Sequence, residues 1–195
     1  MRQLTDTWCK MNPIGSYRKA LRFANSSQNS AALPLLESAS ENGYGPAQYA
    51  LGTWYLHGVS VEINVKRAAD LFEKSVRSGF KGAMYDYAVC LETGNGVKKN
   101  LAQASKLYLA AAIARDKSAY RSIARVAYWG IGMDRDLRLA RKYYRLAALS
   151  GCADSAEALA FMYENGEGGL RSIQRADKWT AYSKQCSGQG KRRRR

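Results

Sequence analysis

Between Gly45 and Lys184 the apolar and polar positions repeat at a step of 36 residues, without insertion or deletion. Gly58, Gly94, Gly130 and Gly166 keep the step, as do Ala68, Ala104, Ala140 and Ala176. A fixed period of this size marks a repeat architecture rather than one shared core. Each period divides into two amphipathic stretches, here helix A and helix B. In the first period helix A spans about Pro46 to His57, with Ala47, Ala50, Leu51, Gly52 and Tyr55 at the spacing of one helical face. Gly58 follows, where a left-handed residue can end a helix. Asn64, Asn100, Asp136 and Ser172 then occupy one repeat position. All four can accept a hydrogen bond from a free N–H of a first turn, which predicts that helix B starts there. Helix B shows Ala68, Leu71, Phe72 and Ser75, then Ala104, Leu107, Tyr108 and Ala111, then Ala140, Tyr143, Tyr144 and Ala147. Small residues allow close helix approach, and the bulky pair fills the space between units.

The same residues carry a family resemblance. The first unit reads Ala47, Leu51-Gly52, Tyr55, Gly58, Val61, Asn64 and Arg67-Ala68. Gly94-Asn95-Gly96-Val97, Gly130-Ile131-Gly132, and Gly166 with Gly168 repeat the connection, and Ala111-Ala112 and Ala147-Ala148 repeat the small pair. This succession resembles the Sel-one-like repeat, a branch of the tetratricopeptide-type solenoids. The resemblance implies an all-α fold, a right-handed α/α superhelical solenoid of four full repeats, at about 45–80, 81–116, 117–152 and 153–184. Ser60 departs from the pattern in place of the second glycine, and Leu91 and Ala127 replace the helix A tyrosine.

Outside the full repeats, Ala32, Leu35, Leu36, Ala39 and Gly43 lie 36 residues before Ala68, Leu71, Phe72, Ser75 and Gly79. A degenerate first unit is therefore expected, with its helix A at residues 17–24 inside a basic N-terminal segment, 1–29. Pro34 is expected near the first turn of that unit's helix B, where a missing N–H does little harm. Residues 185–195 combine glycines, no apolar period and a run of like charge, and are expected to be a disordered basic tail. The first residues lack the apolar core of a secretory signal, and no apolar run is long enough to span a membrane. The expectation is a soluble cytoplasmic protein.

Charge sharpens this picture because it is local. The formal net charge is +15. Lys191, Arg192, Arg193, Arg194 and Arg195 supply one block, and residues 1–30 another, from Arg2, Lys10, Arg18, Lys19 and Arg22 against Asp6. Residues 115–145 supply the third, with nine cationic side chains against Asp116, Asp134 and Asp136. An acidic partner is the natural inference, and the arginine tail has the character of an electrostatic address for nuclear import or delivery.

Catalytic and metal chemistry have little support. His57 is the one histidine, at a helix end; Cys9, Cys90, Cys152 and Cys186 are scattered. A cysteine-rich branch of the resembled family carries a disulfide pair in each unit and penicillin-binding or β-lactamase activity. No such recurring pairs occur in these units. The expectation is no enzyme, no cofactor and no metal.

In tetratricopeptide-like superhelices the A helices line the concave face, so the resemblance implies that their non-consensus positions face a partner. These are Tyr49 and Thr53, Tyr85 and Val89, Arg121 and Arg125, Glu157 and Phe161. Tyrosine and arginine are enriched among interface hot spots. The expected function is a protein–protein adaptor gripping a segment with a carboxylate opposite Arg121 and Arg125, in a bacterial regulatory, host-interaction or immunity setting. The alternative is a nucleic-acid-associated or nucleus-directed protein using the tail and the basic third repeat. Against it stands the lack of a recognition-helix motif or of aromatic and basic residues interleaved as in strand binders.

Overall fold

The computed structural model describes residues 12–192, with side chains described through Ser187. Among these residues there are ten α-helices and no strand, so the all-α expectation holds. The chain divides into two compact units, residues 1–100 and 101–195.

The first unit holds α1 (Pro13–Asn25), α2 (Asn29–Glu41), α3 (Gly45–His57), α4 (Val65–Arg77) and, after a 3₁₀ turn at Lys81–Ala83, α5 (Met84–Thr93). Each of these helices packs on the next. The degenerate opening pair is present as α1 and α2, with Ala32, Leu36 and Ala39 buried. Asn12 caps α1 by accepting from the Gly15 N–H at 2.8 Å. Pro34 lies deeper than expected. It is the sixth residue of α2, beyond the first turn, and cannot donate to the Ser30 carbonyl.

The second unit holds α6 (Leu101–Ile113), α7 (Lys117–Trp129), α8 (Leu137–Leu149), α9 (Ala153–Asn165) and α10 (Ile173–Arg192), again packed in succession. The last helix corrects an expectation: residues 185–192 are helical, not structureless. Glutamine, lysine and arginine are good helix formers, and cations are favoured near a helix C-terminus. Each glycine there costs only about 1 kcal/mol, and the helix is anchored upstream by buried Ala176 and Ser183. Arg193 to Arg195, and the first eleven residues, lie outside the described residues.

The repeat is enforced by polar contacts that recur with it. The N–H groups of Asn64, Asn100, Asp136 and Ser172 donate to the carbonyls of Tyr55, Leu91, Ala127 and Tyr163, at 2.9, 2.8, 2.9 and 2.8 Å. The side chains of Asn64 and Asp136 accept from the N–H groups of Arg67 and Leu139, each at 2.9 Å, and Ser172 from Arg175 at 3.4 Å. One residue thus ends the connection and starts the next helix. Around this frame the alanines at the repeat step, Ala68, Ala104, Ala140 and Ala176, are all buried. Phe72, Tyr108 and Tyr144 are buried at the second recurring position. Gly52 makes room for the Phe72 ring, which a Cβ there would strike.

The second glycine of each connection has a separate role. Gly132, at φ +70°, lies so close to the first turn of α6 that a Cβ would collide with the Leu101 carbonyl. Ser60 adopts the same left-handed region, at φ 57°, at a strain of about 1–2 kcal/mol. Gly151 also has a positive φ, +95°, but faces open space. Gly132→Ala should therefore cost about 2–4 kcal/mol and Gly151→Ala about 1 kcal/mol in urea unfolding. Equal losses would show that the approach of Gly132 to α6 is not felt.

Candidate functional site

In the first unit the expected row is largely used by the fold itself. The Tyr49 hydroxyl donates to Asp86 Oδ2 at 2.9 Å. Its ring packs against Phe72 and Phe80, with centroids 5.7 and 5.6 Å away. Thr53 Oγ1 donates to the Tyr49 carbonyl of its own helix at 3.0 Å. Tyr85 and Val89 are half-buried on α5. These side chains hold repeats together as much as they face outward.

The second unit is different. On α7, Arg121 bonds Asp154 of α9 at 3.0 Å, with both side chains largely exposed, 61% and 68%. An ion pair so exposed contributes little stability. Arg125 follows one turn later, half-buried. Burial pushes the Tyr144 phenol of α8 above its ordinary pKa, while Arg125 and Arg121 pull the other way, so both guanidiniums lie near that hydroxyl. Glu157 is exposed and also serves the fold, its Oε1 accepting from the buried Ser183 hydroxyl of α10 at 2.8 Å. Phe161 is 53% exposed.

Two residues that sequence reasoning missed complete this surface. Trp129 is 67% exposed at the end of α7. Together with Tyr128, Tyr144, Ala158 and Phe161 it lines a hollow of about 310 Å³. Tyr128 is fixed from several sides. Its ring meets Trp129 edge-on at 4.8 Å, and Arg135 lies over it at 5.5 Å. Burial and a hydrogen bond to Glu167 raise its phenol pKa. Trp129 was legible in principle: it continues the i, i+4 stripe from Arg121 and Arg125, and shares a repeat position with His57, Thr93 and Asn165. Taking two positions per helix stopped one turn short of it.

Elsewhere, His57 is exposed at the end of α3. The Cys90 thiol is pushed up to about 11, first by burial and then by Asp86. Among the described residues no group of three or more histidine, cysteine, aspartate or glutamate side chains could hold a metal ion. Among them too, no helix is long and apolar enough to cross a membrane.

The Sel1 repeat family model matches residues 45–80, 82–116, 119–152 and 153–180. The chain belongs to the Sel1 repeat family. Sel1 repeat proteins are generally protein-interaction scaffolds. Among solved structures, a protective antigen of uropathogenic Escherichia coli with this fold aligns at 27% identity and a TM-score of 0.81, over 94% of this chain and 40% of that one. The chain thus spans less than half of that antigen's length. A Sel1 repeat protein from Oxalobacter formigenes aligns at 24% identity and a TM-score of 0.76, over 90% of this chain and 72% of that one. No curated protein matches. Those neighbours, with the helices above, make the chain an all-α Sel1 repeat solenoid. The family matches omit α1 and α2, which nonetheless pack as a helix pair.

The two kinds of row residue are separable by mutation. Tyr49→Phe keeps the ring contacts with Phe72 and Phe80 and removes the bond to Asp86. It should cost about 1 kcal/mol in urea unfolding, whereas Phe161→Ser should change stability by less than about 0.5 kcal/mol. A larger loss from Phe161→Ser would mean that Phe161 is packed.

Proposed function

We propose that this protein is a non-catalytic interaction scaffold that grips a partner segment on the A-helix face of its second unit. The observation that carries the reading is the pair of exposed aromatics, Trp129 and Phe161, beside Tyr128 at the end of a stripe that begins with Arg121 and Arg125. Large apolar side chains grouped at a surface and bordered by charge mark contact sites more often than they mark chance. Arginine and tryptophan dominate binding energy where they are found.

The arrangement specifies the segment. One helical turn separates Arg125 from Trp129, a rise of about 6 Å. An apolar side chain seated in the hollow would place a carboxylate at Arg125 if the two lay two residues apart on an extended strand, a span of about 7 Å. On a helical segment the same match needs positions i and i+4. Arg121 is reached by exchanging its exposed pair with Asp154 for the partner's acid. The Escherichia coli neighbour is a protective antigen, which supports a host-interaction setting.

Capture of a partner from native lysate on the immobilised protein, quantified for each variant, tests this reading. Arg121→Glu with Arg125→Glu should lower the captured amount about tenfold with helicity unchanged by circular dichroism, and Trp129→Ala should do the same. Capture anchored by aromatics should also survive a rise from low to moderate salt, whereas attraction to several phosphates would fall by orders of magnitude. Undiminished capture by both variants would defeat the assignment to this face.

A further inference from the structure

The opposite side of α8 carries a second surface. Arg138, Lys142, Arg145 and Leu149 follow one another at steps of three and four residues, on the stripe facing away from buried Ala140 and Ala147. Across a groove, α10 presents Arg175, Lys178 and Trp179. Two adjoining hollows of about 500 and 260 Å³ share Leu149 and run between the helices. The floor is carbon, with Leu149, 56% exposed, and the half-buried Trp179 ring prominent in it. The rims are cationic, and among the described residues no carboxylate lines either hollow.

Not every cation there is free. Arg141 donates to the carbonyls of Met162 and Leu170, each at 3.1 Å, and stacks on Tyr163 at 4.0 Å, so it belongs to the fold. Arg138, Lys142, Arg145 and Lys178 take part in no ion pair among the described residues. Like charges three and four residues apart on one helix repel one another, so the stripe favours an occupant of negative charge.

The chain contains its own control. Arg145, Leu149, Arg175, Lys178 and Trp179 lie 108 residues, three full periods, after Glu37, Glu41, Arg67, Asp70 and Leu71. Those five line the corresponding groove of the first unit, a hollow of about 520 Å³. The same repeat positions thus build a groove with Glu37, Glu41 and Asp70 in one unit and an all-cationic one in the other. Helix stacking therefore does not require the cations.

We propose that the groove between α8 and α10 docks an acidic amphipathic helix of a partner protein, its apolar face on Leu149 and Trp179 and its carboxylates on the two rims. Charge complementarity selects an acidic occupant, and the carbon floor selects a segment with an apolar face over a bare phosphate backbone. This surface acts independently of the A-helix face, so the scaffold can hold two segments at once.

The test uses a fluorescein-labelled helical peptide of about 15 residues, matched to the length of α8, with leucines on one face and glutamates flanking them. Anisotropy titrations of the full chain should show saturable binding, weakened about tenfold by Arg145→Glu with Lys178→Glu and by Leu149→Asp. The binding should be unchanged by Arg121→Glu with Arg125→Glu, and weakened when the peptide's glutamates become glutamines. Thermal melts followed by circular dichroism confirm that each variant is folded. Parallel arms use a single-stranded oligothymidylate and phosphatidylglycerol vesicles. The proposal is overturned if the peptide does not bind, if the groove variants bind it as well as the unaltered chain, or if the oligonucleotide or the vesicles bind more tightly than the peptide.

Discussion

The structure depends on one backbone hydrogen bond made four times. The N–H of Asn64, Asn100, Asp136 or Ser172 reaches back to a carbonyl in the last turn of the preceding helix A, at 2.8–2.9 Å. The bond closes the connection at fixed length, so helix B always leaves from the same place. An insertion there would break the bond, at a net cost of about 0.5–1.5 kcal/mol, and would move the start of helix B. That is a physical reason for a 36-residue step that never slips. Once the connection is fixed, side chains one period apart occupy like environments, and alanines at those positions are buried in every repeat.

The same logic explains what could be read without coordinates. Ala68, Ala104, Ala140 and Ala176 are dictated by packing, so their spacing announced the fold. The caps were legible because a short polar side chain at a helix start has few other reasons to recur. The outward positions were harder, since nothing repeats there by necessity. Tyr49 was expected to face a partner, but it lies against Phe72 and Phe80, because an aromatic ring beside an open helix junction gains more from burial than from water. Glu157 looked free until Ser183 of α10 supplied its hydrogen bond. No periodicity could signal that pairing, which joins one helix to the side chain of another. Residues 185–192 misled for a related reason: glycines and charge suggested a loose segment, but as the end of a helix anchored upstream their glutamines, lysine and arginine also have high helix propensity.

Function therefore has to be sought where the repeat stops constraining the sequence. At the last position of helix A the four full units carry His57, Thr93, Trp129 and Asn165. Only the third is a large apolar group, and it lies beside Phe161, which is also exposed. An isolated exposed aromatic would mean little. Two from adjacent helices, sharing a hollow with Tyr128 and Tyr144, form a pocket wall. The rigidity of Tyr128, held by Arg135 and Glu167, lowers the entropy lost when something fills that pocket.

Charge follows the same division. The formal excess of residues 115–145 is spread over two sides of one helical layer. Arg121 and Arg125 lie toward the aromatic hollow, while Arg138, Lys142 and Arg145 lie on the far side of α8. A merely solvating surface would mix signs, as the first unit does with Glu37, Asp70, Arg67 and Lys74 around one groove. Mixed signs keep a surface soluble at little electrostatic cost, so selection for solubility alone would favour that solution in both units. The second unit instead accepts self-repulsion on helices that occupy the same repeat positions as those of the first. Arg138, Arg145 and Lys178, which take part in no ion pair among the described residues, are then best understood through what they face outside the chain.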